Sequence, residues 1–182
     1  ETPTNIALSA NTVAENAAGA TIGTVTVTDP DANDTHTFIL SDARFEIAAG
    51  QLKLKAGQSV GFETTPSVNL DITATDAGGL NVTKSFTLNV TNVNEVPTNI
   101  VLSANSVAEN AAGATIGTVT VSDPDANDTH TFLISDNRFE IAAGQLKLKA
   151  GQSLNFDTTP SIGLDITATD AGGLDFTKSF TI

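Results

Sequence analysis

The sequence predicts an all-β chain made of two tandem Greek-key β-sandwiches, each of about seven strands. Three observations lead there: the chain repeats itself at a spacing of 94 residues, its apolar residues alternate with a period of two in short runs, and turn signals separate those runs.

The repeat is visible at once when "TNIALSANTVAENAAGATIGTVTV" from Thr4 is laid over "TNIVLSANSVAENAAGATIGTVTV" from Thr98. Residues 1–88 and 95–182 differ at only 15 of 88 aligned positions. A period of this length marks tandem domains, because the short units that stack into solenoids repeat every 20 to 50 residues or so. The predicted domains are 1–94 and 95–182. The second lacks the counterpart of "NVTNVNE" (Asn89 to Glu95), its C-terminal linker. The chain contains no Met, not even an initiator, which leads us to expect a piece of a longer protein.

Within the first copy, "TVTVT" sets Val25 and Val27 on one face and "QLKLK" does the same with Leu52 and Leu54. "LDITAT" alternates Leu70, Ile72 and Ala74 against Asp71, Thr73 and Thr75, and "FTLNV" aligns Phe86, Leu88 and Val90. Turns are marked by Asp-Pro at Asp29, Ala-Gly at Gly50 and Gly57, and Gly-Gly at Gly78. No helical period of useful length appears. "AENAAGAT" is read as an irregular strand, given Gly19 and its β-branched flanks. Outward acids such as Asp71 and Asp165 read as solvated faces.

Composition narrows the function. Asp and Glu outnumber Lys and Arg by 21 to 8, for a net charge of -13, and the basic residues form no cluster. The surface that would neutralise nucleic-acid phosphates, or dock on anionic lipid, is therefore not expected. No apolar run approaches the roughly 20 residues that span a bilayer. With no Cys, thiolate metal sites and disulfides are excluded. Abundant Thr, Asn, Ala and Gly, without Trp or Tyr, is a composition that resembles that of bacterial surface repeats.

Acidic and amide residues gather between the strands: "AEN" at Glu15, "DPDAND" from Asp29 to Asp34 and again from Asp123 to Asp128, "TATDAGG" around Asp76 and Asp170, and "NVNEVP" from Asn92 to Pro97. Asp29, Asp31 and Asn33 match the first, third and fifth positions of an EF-hand loop. Asp34 then stands where the loop needs Gly, and Leu40 where it needs Glu, so an EF-hand is rejected. Two carboxylates about 4 Å apart repel by roughly 4 kcal/mol at an effective dielectric of 20. Gathered acids of this kind call for a cation, and an all-oxygen donor set suits a hard one.

The ordered combination of "AEN", "DPD", "FET" or "FDT" after a Gly-Gln-Ser turn, "ITATDAGG" and "VNEVPTNI" resembles cadherin repeats of the form found in bacterial surface proteins, across the whole chain twice. The resemblance implies cadherin- or immunoglobulin-like sandwiches with Ca2+ held where successive repeats meet. Carried over by position, it implies Glu15 and Glu63 from the first repeat, the side chains of Asn94 and Glu95 with the carbonyls of Val93 and Val96 from the linker, and Asp123, Asp125, the carbonyl of Asn127 and Asp170 from the second. It further implies that Glu1, Asp29, Asp31, Asn33 and Asp76 would form one half-site and Glu109 and Asp157 another, each expected to face a further repeat. "VGFE" has Gly61 where the family has Asp, and the second copy has Asn155 there with Asp157 behind it. Two firmly held ions and a weaker third are the expectation.

The function so implied is an extracellular, cell-surface adhesin or stalk module stiffened by calcium. Its partners would be neighbouring repeats, with homophilic pairing as a further class. A carbohydrate-binding module recognising polysaccharide is the alternative, although all nine aromatics are Phe and sugar platforms favour Trp or Tyr. Catalysis is not expected: His36 and His130 lie in "DTHTF" with no Ser or Cys elbow beside them, and "GQS" lacks the frame of a nucleophile elbow.

Overall fold

The computed structural model describes all residues from Glu1 to Ile182, and the chain divides into two compact units, Glu1–Val93 and Asn94–Ile182. Both are all-β and contain no helix, so no helix is long and apolar enough to cross a membrane.

Unit 1 has eight strand segments: β1 (Asn5–Leu8), β2 (Thr12–Ala14), β3 (Thr21–Thr28), β4 (Thr37–Leu40), β5 (Phe45–Ala48), β6 (Gln51–Leu54), β7 (Ser67–Thr75) and β8 (Asn81–Thr91). They form two four-stranded sheets, ordered β1-β3-β6-β5 and β2-β8-β7-β4. After β3 the chain changes sheets three times, between β3 and β4, between β4 and β5 and between β6 and β7, which gives the Greek-key sandwich.

Alternation places the core. Leu52, Leu54, Leu70, Ile72, Ala74 and Leu88 are fully buried, and Val25 and Val90 nearly so, while Asp71 faces solvent and accepts a hydrogen bond from the Ser85 hydroxyl. Phe45 and Ile6 complete the centre of the sandwich. The β5–β6 hairpin closes through Ala49 and Gly50, both at positive φ (49° and 73°), so Ala48 pairs with Gln51 across a two-residue turn. Turns of that kind follow the twist of the strands they join.

The first strand is split between the sheets. β1 runs antiparallel to β3, then the chain crosses at Ser9 to Asn11 and β2 joins the other sheet, parallel to the end of β8, pairing Thr12 with Asn89 and Ala14 with Thr91. Gly23 makes the crossing possible. A Cβ there would lie 2.8 Å from both the N and the O of Ala10, and the β3–β6 register shifts at the same place. Counted as one divided strand, β1 and β2 bring the unit to the seven expected.

Unit 2 repeats the plan with β9 (Asn99–Leu102), β10 (Thr115–Ser122), β11 (Thr131–Ile134), β12 (Phe139–Ala142), β13 (Gln145–Leu148), β14 (Gly163–Thr169) and β15 (Asp175–Thr181). Its sheets are β12-β13-β10-β9 and β11-β14-β15 around Ile100, Phe139, Leu146, Leu148, Leu164 and Ile166. No counterpart of β2 forms. The residues in that position, Ser106 to Ala108, pair with nothing because the sequence ends at Ile182, the equivalent of Leu88, before any equivalent of Asn89–Thr91.

One expectation is corrected. "AENAAGAT" is not an irregular strand but two successive turns after β2. Asn16 and Gly19 both take positive φ (56° and 71°), with Asn16 N–H donating to Val60 C=O and Gly19 N–H to Gln58 C=O. Asn tolerates the left-handed region and Gly favours it, which breaks the extended chain that the β-branched neighbours suggested.

Candidate metal-binding site

In unit 2 the loop after β10 folds back on itself. Asp125 N–H donates to Asp123 Oδ1 at 3.0 Å, Asp128 N–H donates to the Asp125 carbonyl at 3.3 Å, and Asn127 takes φ 66°. This turn returns the sixth residue of "DPDAND" beside the first and third, so Asp123, Asp125 and Asp128 each offer a carboxylate oxygen within 4.8 Å of the others. Asp125 is only 8% exposed. Three carboxylates at this spacing repel by roughly 3 kcal/mol per pair at an effective dielectric near 20. The Lys and Arg ion pairs lie elsewhere: Arg44 on Asp42, Lys53 on Glu46, Arg138 on Asp136 and Lys147 on Glu140.

Other groups hold the carboxylates in place. His130 Nε2 lies 2.8 Å from Asp123 Oδ2, and Glu95 N–H donates to Asp125 Oδ2 at 2.7 Å. Asp170, at the end of β14, accepts from Leu174 N–H at 2.8 Å and from the Asn94 amide at 2.9 Å. Burial works to raise its pKa, but the hydrogen bonds from Leu174, Asn94, Gly173 and Gly172 outweigh it and hold the carboxyl below the usual range. Asn94 reaches Asp170 because Gly172 has no side chain: a Cβ there would sit 2.3 Å from the Asn94 Cγ.

Unit 1 has a related but different cluster. Asp29, Asp34 and Asp76 bring carboxylate oxygens within 4.8 Å of one another, with His36 Nε2 3.0 Å from Asp29 Oδ2. Asp31, the counterpart of Asp125, instead pairs with the Glu1 amine. Asn33, like Asn127, is exposed and turns the loop with φ 66°.

The other end of unit 1 centres on Glu15, which is 2% exposed. Its two carboxylate oxygens accept Phe62 N–H and Val93 N–H, each at 2.8 Å. Glu63, next to Phe62 in sequence, is exposed. The counterpart in unit 2, Glu109, is exposed and keeps only the Phe156 N–H, at 3.2 Å, while Asp157 faces solvent. Val96, in unit 2, is 45% exposed.

Sequence reasoning therefore named Asp123, Asp125, Asp29 and Asp76 but missed Asp34 and Asp128. The signal was present as the third carboxylate of "DPDAND". Its role depends on the left-handed Asn before it, which a one-dimensional reading does not resolve. Asp31, expected with Asp29 and Asp76, lies outside the trio that Asp29, Asp34 and Asp76 form.

No protein-family model matches the chain. Solved structures do. Drosophila N-cadherin EC1-4 matches with TM-score 0.72 at 19% identity, over 98% of this chain and 49% of that one. Protocadherin Gamma B7 extracellular cadherin domains 1-4 match with TM-score 0.69 at 21% identity, over 100% and 50%. The Protocadherin GammaB4 extracellular domain matches with TM-score 0.65 at 24% identity, over 99% and 32%. The chain thus spans half or less of these solved chains. Its fold is that of tandem cadherin-like repeats.

Proposed function

We propose that the chain is a calcium-binding module of an extracellular adhesion or stalk protein, of the kind carried on bacterial surfaces, with neighbouring repeats as its immediate partners. The observation that carries this reading is the trio Asp123, Asp125 and Asp128, three carboxylates drawn together within a cadherin-like unit. The donor set is all oxygen, which fits a hard cation. When bound, the ion supplies the positive charge that offsets the repulsion among these acids.

From the resemblance, the ligand set is Glu15, Glu63 and the Val93 carbonyl of unit 1, with Asn94, Glu95, the Val96 carbonyl, Asp123, Asp125, the Asn127 carbonyl and Asp170 of unit 2. Asp128 joins it on the strength of its place beside Asp123 and Asp125. The protein's own contribution is to aim these oxygens in advance: Glu95 N–H and His130 steady Asp125 and Asp123, and Leu174 N–H and Asn94 steady Asp170. Preset oxygens lose less freedom on binding, so affinity follows from the fold as well as from charge. Residues 92–98 connect β8 to β9 with no strand of their own, so ligation of linker oxygens would stiffen this segment. No observation favours the polysaccharide alternative.

Calorimetric titration of the 182-residue chain with Ca2+, paired with small-angle scattering in calcium and in chelator, tests the reading. Two strong ions, a narrower scattering ensemble in calcium and a higher thermal midpoint are expected. Asp125→Ala should remove most of the rise in midpoint, and Asp165→Ala, on a solvated face, should leave it. Equal heats with and without Asp125, or identical scattering in both conditions, would overturn it.

A further inference from the structure

β4 in unit 1 and its counterpart β11 in unit 2 each end a sheet, so one edge of each strand has no neighbour. Free edges are commonly guarded by a charged side chain, a Pro or a bulge, which discourage pairing with another chain. In unit 1, β5 carries Glu46, paired with Lys53 Nζ at 3.2 Å, and β1 carries Asn5, which accepts from Lys84 Nζ at 2.9 Å. β4 has no such guard: it reads Thr-Phe-Ile-Leu and pairs with β7 without a register shift.

The side chains on this edge are apolar as well. Ile39 is 71% exposed and so is Leu133 of β11, more than any other large apolar side chain. The copies differ here, Phe-Ile-Leu against Phe-Leu-Ile, yet each keeps an aliphatic residue facing water. Beside β4 a groove of about 630 Å³ stands open, with Phe38, Leu40, Phe45 and Ile47 in its lining.

Backbone and charge together define the strand that would fit. Ser41 N–H donates to Asp71 C=O at 3.1 Å, so Ile39 and Thr37, two and four residues back, turn their N–H and C=O toward β7 in the same way. Those of Phe38 and Leu40 therefore point out of the sheet edge. An identical strand laid antiparallel and centred on Ile39 satisfies both residues, because Phe38 of each copy then exchanges two hydrogen bonds with Leu40 of the other. Ile39 falls opposite itself at a non-hydrogen-bonded position, where facing side chains are closest. Asp34 precedes the strand and Arg44 follows it, with the guanidinium bound to Asp42 through Nε and Nη2 only. Antiparallel pairing brings the acidic end of one copy to the Arg44 end of the other, whereas parallel pairing would set like against like. Asp128 and Arg138 flank β11 in the same order.

We infer that β4, and β11 likewise, is an edge through which two copies of this chain join, antiparallel and related by a two-fold axis at Ile39 or Leu133. Strand addition of this kind takes its affinity from main-chain hydrogen bonds and its selectivity from the side chains that meet. The inference goes beyond the calcium reading and requires no ion. Four residues a side form a small contact, so a single edge gives a weak, transient association.

Sedimentation of the intact 182-residue chain up to about 1 mM tests it, in chelator so that association driven by calcium is not read as this one. Reversible self-association is expected. Amide exchange followed by NMR should slow at Phe38 and Leu40 as concentration rises, while Ile39, already bonded to β7, stays unchanged. Ile39→Lys combined with Leu133→Lys should abolish both effects, and because both sites are exposed the shifts of β7 and β14 should persist. The chain has no Cys, so register can be read by cross-linking. With Leu133→Lys silencing β11, Ile39→Cys should give a disulfide-linked dimer on mild oxidation, and Thr37→Cys, held about 13 Å from its mate by the register, should not. A chain that stays monomeric, association that survives both lysines, or equal cross-linking at Thr37 would each overturn the inference.

Discussion

Glu15 and Glu109 occupy the same position of the same motif, yet replacing them by Ala should have very different consequences. At Glu15 the substitution strips acceptors from two backbone donors, Phe62 N–H and Val93 N–H, both bonded at 2.8 Å to a carboxylate that is 2% exposed. A hydrogen bond to a charged group contributes about 1.5 to 3 kcal/mol, and an orphaned buried donor carries its desolvation cost in full. Val93 is 44% exposed, so water can reach its N–H once the carboxylate is gone, which brings the expected loss to about 3 kcal/mol. For a domain of this size that corresponds to roughly 10 to 20 °C in thermal midpoint. At Glu109 the carboxylate is exposed and holds one longer bond, 3.2 Å from Phe156 N, so Glu109→Ala should behave as an ordinary surface change. The chain has neither Trp nor Tyr, which rules out their fluorescence as a probe. Hydrogen exchange read by mass spectrometry across a urea series serves instead, because the 15 differences between copies let peptides be assigned to each unit. The measurement belongs in chelator, so that only the hydrogen bonds are read. If both substitutions destabilise their units alike, or Glu15→Ala does nothing, the two bonds at Glu15 do not hold the base of unit 1.

Two further outcomes follow from the geometry. Gly172→Ala should expel the Asn94 amide from Asp170, because the added Cβ would meet Cγ at 2.3 Å, and NMR should show a shifted Asn94 side-chain NH₂ signal and an Asp170 pKa moved upward; an unchanged Asn94 signal refutes it. Asp42 is held below the usual carboxylate pKa by the side-chain hydrogen bonds of Arg44, with its backbone and charge adding to that, and Asp136 is held likewise by Arg138. With the folded pKa below the unfolded one, each pair's stabilisation is present above the unfolded value and lost as pH falls through the folded one, so Arg44→Gln should raise the Asp42 midpoint in a carboxyl-carbon NMR titration and leave Asp136 in place.

Much of the fold was legible because burial on a pleated sheet has a period of two. Leu70, Ile72 and Ala74 against Asp71, Thr73 and Thr75 could be assigned to faces from the letters alone, and the structure buries the first three completely. What could not be read depends on contacts far apart in sequence. β2 exists only because residues 89–91 lie beside it, so the almost identical Ser106 to Ala108 forms no strand. "AENAAGAT" is decided by two left-handed residues, and the place of Asp34 and Asp128 by another. The carboxylates themselves stood out, since acids that fall off the alternation have no packing reason to gather. Which three meet is a matter of one loop's dihedral angles.

The parallel pairing of β2 with β8 also decides how unit 1 carries load. A pull on the chain ahead of β2 and an opposite pull on the chain beyond β8 draws two parallel strands past each other, so the ladder Thr12–Asn89, Val13–Val90 and Ala14–Thr91 is strained in shear, all rungs together, and cannot open like a zipper one rung at a time. Rupture under tension then requires a concerted break at a rate set by the unfolding barrier, with Val90 withdrawn from the core in the same event. Three residues of a short strand thus act as the mechanical clasp of unit 1.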